Sequence, residues 1–444
     1  MTFVKTLMTM LAMAAVPYAV QAQSVTAQPS PIMTITLAEA IQRAETSDTT
    51  YASAVADHKV AQAQTGIARS ALLPGVVYHN EYLYTQPQHL NGKPVTDAPR
   101  FIANNGIHEY MSQASVTETI SGAGVTDWRK SAADAAAARA NLEVARRGLI
   151  SSVVTSYYEV LAADEKLTVM QRALDEATHF GQTSEQLEKG GEVAHADTLK
   201  ANLQMQQRQR DYSDAQLAAE KASLDLAVLL FADPLTPYGV TGDLQTLPEL
   251  PLRSQIDASA KTNNPDMKAA LAEFHAAKLE VTSSWLDYLP SLSLNYTYGV
   301  DAAQFATHSP DGMRNLGYSA YATLDIPIWD WFATQDRVKQ SEARRDLAQV
   351  QLTSTQRRLV ASLEELYSEA EVAKAQLATL DQSVGDAREA LRLTNLRYSA
   401  GDAPVLEVVD AQNTLIQTET SRADGAVRYY TALANLQTLT GNMP

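Results

Sequence analysis

The chain has 444 residues, a formal net charge of −16 at pH 7 and no cysteine. Excess negative charge disfavours a nucleic-acid backbone as partner. Without cysteine there is no disulfide framework, thiolate metal site, cysteine nucleophile or cysteine-borne lipid anchor.

The first 22 residues read as a secretory signal peptide: Lys5, an apolar stretch from Leu7 to Val20, then Val20-Gln21-Ala22 with small residues suited to cleavage after Ala22. No later stretch reaches the roughly 18 uninterrupted apolar residues of a spanning helix. An exported chain of this kind is periplasmic, secreted, or a β-barrel of the outer membrane.

A helix is predicted over 36–73, ending at Leu73-Pro74. Two strands follow at about 75–86 and 108–120, separated by the Pro-, Asn- and Gly-rich stretch QPQHLNGKPVTDAPRFIANNG, which reads as a loop. A very long helix covers 127–188, turns at Gly190-Gly191 and returns over 195–231. Pro234, Pro237, Pro248 and Pro251 then mark a join, and the order repeats. The second set is a helix over 253–289 ending at Leu289-Pro290, strands at about 290–300 and 316–328, a helix over 331–399, a turn at Gly401 and a returning helix over 405–440.

Residues Gly191 to Ala201 match Gly401 to Ala411 at an offset of 210, which also pairs Leu149 with Leu359, Tyr157 with Tyr367 and Asp197 with Glu407. ALLPGVVYHNEY matches DYLPSLSLNYTY at an offset of 216, so the excess falls in the loop. An internal duplication predicts two equivalent structural repeats, 23–240 and 241–444.

The long helices are rich in Ala, Gln, Glu, Leu and Arg, which favour helix. Sixty residues would span roughly 90 Å, far more than a compact domain needs. In the returning helices Val408, Leu415, Arg422, Tyr429 and Leu436 recur every seventh residue, as do Thr198, Met205, Tyr212, Ala219 and Leu226. A heptad repeat implies coiled-coil packing with a left-handed supercoil. Its small, mixed seam suits a wall of many helices, although an ordinary amphipathic bundle shares the period.

Leu292, Leu294, Tyr296 and Tyr298 alternate with polar residues, as do Leu316, Tyr318, Ala320, Ala322, Leu324 and Ile326. This is the period of a strand with one apolar face, at the length of a tilted strand crossing a bilayer. The first pair is blurrier, with Tyr78, Tyr82 and Tyr84 on one face. Trp285, Tyr288, Trp329 and Trp331 stand where strands meet helices, as membrane-interface aromatics would. Four strands cannot close a useful barrel, and an open edge in lipid leaves backbone groups unpaired. Spanning strands would therefore have to be pooled between copies.

The signal segment, the duplication, the Leu-Pro junctions and Arg397-Tyr398-x-x-Gly401 followed by Glu407-Val-Val-Asp410-Ala411 together resemble the TolC-like outer-membrane efflux proteins, over essentially the whole mature chain. The resemblance implies a mainly α fold with a small transmembrane β part. Three copies would form a 12-stranded β-barrel that continues into a long α-helical barrel. It implies a homotrimer in the outer membrane, reaching into the periplasm and serving as exit duct for a tripartite efflux pump or type I secretion system. Its partners would be a periplasmic adaptor and an inner-membrane pump, with no cofactor.

By the same resemblance Glu407 and Asp410 would ring the closed periplasmic entrance, and Tyr398 and Asp197 would belong to the latch between inner and outer helices. The basic residue of that latch falls on Ala403, so its ionic link is missing. Six carboxylates around one axis would attract and bind cations. Acids in a first helical turn are also favoured by the helix dipole, which accounts for Glu407 well and Asp410 less well.

Nothing points to an enzyme. The eight histidines are scattered, and HExxH, G-x-S-x-G and P-loop motifs are absent. The alternative class is a periplasmic coiled-coil adaptor or scaffold, which explains the helices but leaves the alternating strands without a role.

Overall fold

Each β-strand of the main sheet runs directly into a helix, and this sets the architecture. The computed structural model describes residues 33–85 and 107–441, with backbone alone at 87–90 and 93–99; the signal segment 1–22 lies outside them. In chain order the elements are β1 (Met33–Ile35), α1 (Leu37–Ser47), α2 (Thr49–Ser70), β2 (Gly75–Tyr84), β3 (Pro87–Leu90), β4 (Lys93–Pro99), β5 (His108–Ile120), α3 (Gly122–Gly190) and α4 (His195–Leu230). They continue as β6 (Tyr238–Val240), α5 (Arg253–Asn263), α6 (Pro265–Leu286), β7 (Ser291–Ala302), β8 (Leu316–Asp325), α7 (Ala333–Ser399) and α8 (Val405–Thr440).

The main sheet is antiparallel with order β2-β5-β7-β8. The helices joined to these strands pack in the same order: α2 on α3, α3 on α6, α6 on α7. Farther from the sheet α4 lies on α3, α3 on α8, and α8 on α7. The chain is thus a wall four elements wide at the sheet and at both helical levels. The 69 residues of α3 span about 100 Å at ~1.5 Å per residue. Among the described residues no helix is long and apolar enough to cross a membrane.

The registers resolve the two faces of the sheet. Leu292, Leu294, Tyr296 and Tyr298 lie opposite Leu324, Ala322, Ala320 and Tyr318. On the other side they face Ile120, Glu118, Val116 and Ala114. Val76, Tyr78 and Tyr82 complete that face through β2. The opposite face carries Ser293, Asn295, Thr297, Ser319, Thr323, Thr117, Ser115 and Gln113. The blur of the first pair has a local cause. Asn80 and Ser112 sit on the apolar face, where the Ser112 hydroxyl donates to Asn80 Oδ1 at 2.8 Å and bonds the Tyr78 hydroxyl at 2.7 Å.

Midway along the wall the chain packs a belt against the long helices. β1 pairs parallel with β6. The buried Tyr157 hydroxyl donates to the Ile35 carbonyl at 3.0 Å and to that of Thr241. On the other side α5 packs on α8, and the Tyr429 and Tyr430 hydroxyls donate to the carbonyls of Pro248 and Thr246, each at 2.6 Å.

Three features differ from the sequence reading. The helices expected over 36–73 and 253–289 are each broken. Asp48 (ψ 127°) ends α1, and its carboxylate caps α2 by accepting from the Tyr51 amide at 2.6 Å. Asn264 (ψ 124°) ends α5, accepts from the Met267 amide at 2.8 Å, and precedes Pro265, which disfavours helical backbone before it. These breaks lie 216 residues apart. The stretch expected as a loop holds the hairpin β3–β4. The last predicted strand stops at Asp325, short of 328, because Pro327 cannot donate to the ladder.

Candidate functional site

The far ends of the helices form two hairpin tips. At the first, Gly190 ends α3 and Gly191 adopts φ +79°, the left-handed conformation that favours glycine at a helix C-terminus. At the second, Gly401 adopts φ +78°, 210 residues later. Both returning helices start with an acid in the first turn, Asp197 and Glu407.

The second tip is held by Arg397. Its guanidinium donates to Glu407 Oε2 at 3.0 Å and to the Asp402 carbonyl at 3.2 Å. Glu407 therefore stands beside a counter-charge. Asp410, one turn on, is exposed and has no ion pair among the described residues. Ala403 is buried with Phe180, Ala201, Tyr398, Val405 and Val408. Where the resemblance leads one to expect a basic residue, an apolar plug fixes the turn.

Tyr398 is 5% exposed. Its hydroxyl bonds Ser184 Oγ at 2.9 Å and its ring packs on Phe180, centroids 4.9 Å apart. It thus ties α7 to α3. Asp197, next to the Thr198 that donates to the Ser184 carbonyl, turns its carboxylate to Lys200 Nζ at 3.5 Å. Within one chain no hydrogen bond joins the Tyr398 and Asp197 side chains among the described residues. At the first tip Glu188 receives a 2.7 Å bond from His195. Hydrogen bonds from Thr198 and then His195 hold its carboxyl below the usual carboxylate range.

A second clamp escaped the sequence reading. Glu419 on α8 is 9% exposed. It receives Arg172 of α3 at 3.1 and 3.2 Å and Arg388 of α7 at 2.7 Å. One carboxylate therefore couples three helices. Nearby, Arg422 meets Asp381 at 2.8 Å, and Arg208 of α4 donates to Asn413 of α8. The available signal was a charged residue at heptad spacing from the apolar Val405, Ala426 and Leu433.

At the sheet end, aromatics gather on both rims. Toward the helices Trp285 packs on Tyr288 (5.8 Å), and Trp329 packs on Trp331 (5.8 Å) and Phe332 (5.1 Å). All five are exposed, Trp331 at 82%. Trp331 and Phe332 take positive φ (57° and 67°), turning the chain from sheet to helix. At the opposite rim Tyr82, Tyr84, His108, Tyr110 and Phe305 form a second cluster, which the sequence reading missed. The four strands that run between the rims are 10, 13, 12 and 10 residues long, the length of tilted strands crossing a bilayer. Among the described residues no cluster of three or more His, Asp or Glu could hold a metal ion.

Comparison with known proteins gives the same picture. The family model described as "Outer membrane efflux protein" matches the chain twice, over residues 40–230 and 258–442. The pyoverdine export outer membrane protein OpmQ of Pseudomonas aeruginosa is 24% identical over 412 residues, 88% of this chain and 84% of that protein. The outer membrane protein TolC of Escherichia coli is 23% identical over 422 residues, 92% of this chain and 82% of that protein. The crystal structure of the Campylobacter jejuni CmeC outer membrane channel shares the fold, with a TM-score of 0.80 at 17% identity over 98% of this chain and 94% of that one.

Proposed function

The chain belongs to the outer membrane efflux protein family, and from that premise we propose how its geometry builds a duct. It is an outer-membrane exit channel for efflux or type I secretion that extends into the periplasm; the family is one of channels, not enzymes. Three copies pool their four strands into a 12-stranded barrel and their helices into a continuous tunnel. The observation that carries this reading is the open sheet: β2 and β8 each have one unpaired edge, and one face of the sheet is apolar and exposed. In lipid each unpaired backbone group costs several kcal/mol, and closure between copies removes both edges. A soluble adaptor or scaffold would leave that face and both aromatic rims in water.

The two hairpin tips form the periplasmic end. Three Asp410 carboxylates, with the three Arg397–Glu407 pairs beside them, make a ring that draws cations to the entrance. Tyr398–Ser184 and the Glu419 clamp hold the hairpins of one copy together, so opening must loosen contacts of this kind. The two family matches and the paired breaks at Asp48 and Asn264 support a duplicated frame, residues 23–240 and 241–444. Partners are an adaptor at the tips and an inner-membrane pump that supplies the energy for a passive duct. Reconstitution into planar bilayers tests the reading. Stepwise ionic conductance is expected, narrowed by divalent cations, whereas folded protein that inserts and conducts nothing contradicts it.

A further inference from the structure

On the apolar face of the sheet Glu118 is the one acid among the described residues, and the duct reading does not use it. The register puts it on the apolar face, directly opposite Leu294. On its other side Pro74 precedes the paired Gly75. It is half-buried, and its Oε2 is enclosed without a hydrogen-bond partner among the described residues. Other polar groups of this face have local partners: Asn80, Ser112 and Tyr78 bond one another, and Tyr82 bonds His108.

The sheet places no counter-charge beside Glu118: β2, β5, β7 and β8 contain no lysine or arginine, His79 is on the opposite face, and His108 is ten residues away along β5 at the far rim. For the same reason the strands of a neighbouring copy supply none. An unpaired acid on a lipid-facing surface is costly, and the cost falls near the interface. Glu118 is two residues from the helix end of β5, beside the rim that carries Trp285 and Tyr288. It therefore sits at headgroup depth in the periplasmic leaflet.

The surface around it is shaped. Val116, Leu294, Tyr296, Ala320 and Ala322 line a groove of about 550 Å³ with Glu118 in its wall. Ala320 and Ala322 are small where the same face of β8 otherwise carries Tyr318 and Leu324, and this opens the groove.

We propose that this groove binds one phospholipid of the periplasmic leaflet through a primary-ammonium headgroup, with an acyl chain over Ala320 and Ala322 and the ammonium on Glu118. The headgroup class follows from hydrogen-bond chemistry. A carboxylate only accepts, so its partner must donate. An ethanolamine ammonium offers three N–H donors, a trimethylated choline offers none, and a phosphoglycerol brings a like charge. This site rests on the barrel reading, since only a closed barrel in a bilayer sets Glu118 at headgroup depth.

Native mass spectrometry of the full chain, released from detergent with phosphatidylethanolamine, phosphatidylcholine or phosphatidylglycerol of identical acyl chains, tests both readings separately. The wild type is expected to retain the ethanolamine lipid about tenfold more tightly than the other two, the scale of a charge-assisted hydrogen bond. Glu118→Gln should abolish the preference. Ala322→Leu fills the groove on a lipid-exposed surface, and it should weaken all three lipids while keeping their ranking. A three-copy particle that holds the three lipids equally, or a Glu118→Gln trimer that keeps the preference, overturns the lipid site and leaves the barrel intact. A particle of single copies overturns the barrel itself. If Glu118→Gln fails to assemble, the wild-type ranking and Ala322→Leu still decide.

Discussion

The two hairpin tips share a backbone and differ in charge. Gly191 and Gly401 make the same left-handed turn, and Asp197 and Glu407 occupy the same first-turn position. At the next turn the first tip has Lys200, 3.5 Å from Asp197, and the second has Asp410, with no ion pair among the described residues. The first tip is bound by the Glu188–His195 contact, the second by Arg397 bridging Glu407 and the Asp402 carbonyl. A repeated frame thus makes the position one turn past the first acid basic in one hairpin, where Lys200 lies against Asp197, and a surplus acid, Asp410, in the other. Three-fold symmetry would gather those surplus acids on one axis, so the second hairpin is the one suited to control the entrance.

The largest effect is expected from making the tips alike. Asp410→Lys copies the residue of the first tip and replaces three carboxylates by three ammoniums. Divalent block measured in planar bilayers should require at least about tenfold more cation, since ligand charge count sets such affinities. Unchanged block would remove Asp410 from the ring. Next comes the clamp: Glu419→Ala leaves Arg172 and Arg388 without their shared acceptor. It should cost about 1–3 kcal/mol in thermal or denaturant unfolding, the scale of hydrogen bonds to a buried charge, and raise the open fraction in single-channel records. A variant as stable as wild type would show that α3, α7 and α8 are held by packing alone.

A smaller loss, about 1 kcal/mol, is expected for Tyr398→Phe, which deletes the Ser184 bond and keeps the ring on Phe180. Full retention of stability would place the latch in the aromatic contact. The smallest effect is a pH response confined to the first tip. The Glu188 carboxyl is depressed by Thr198 and His195, so its contribution is present above the ordinary carboxyl range and is lost as pH falls through and below about 4. NMR of His195 should report loss of the contact over that range. If the second tip loosens there instead, the assignment of this response to the first tip is contradicted.

Much of the frame was legible from periodicity. The alternation from Leu292 to Tyr298 and from Leu316 to Leu324 reads as strand because one face is apolar and the other polar, and the heptads at Val408, Leu415, Tyr429 and Leu436 are buried as a seam should be. What failed to show was set by distant partners or by short pieces. β1 and β6 have three residues each, too few to carry a period. The break at Asp48 lies in Thr46-Ser47-Asp48-Thr49-Thr50, weak helix formers that suit a cap, and the single helix expected over 36–73 passed over that signal; Pro265 was the visible hint for its counterpart. Of the site, the turn glycines and the tip acids could be read from the repeat. The Arg397 bridge could not, because an ion pair across a turn leaves no spacing signal of its own. Glu419 reaches Arg172 across 247 residues, and only the packing of α8 between α3 and α7 creates that contact.

Cross-linking between copies tests the pooled barrel most directly, and a chain without cysteine is ready for it. One cysteine at Val76 on edge strand β2 would be combined in turn with one at Tyr318, Ala320 or Ala322 on edge strand β8, and oxidised in the membrane. Strands adjacent across a copy boundary bring Cβ atoms within disulfide reach at one register. Covalent dimers and trimers in one of the double variants, and in neither parent single variant, are the predicted result. Folded, membrane-inserted protein that stays monomeric at every register would contradict a barrel closed by β2 and β8 of neighbouring copies.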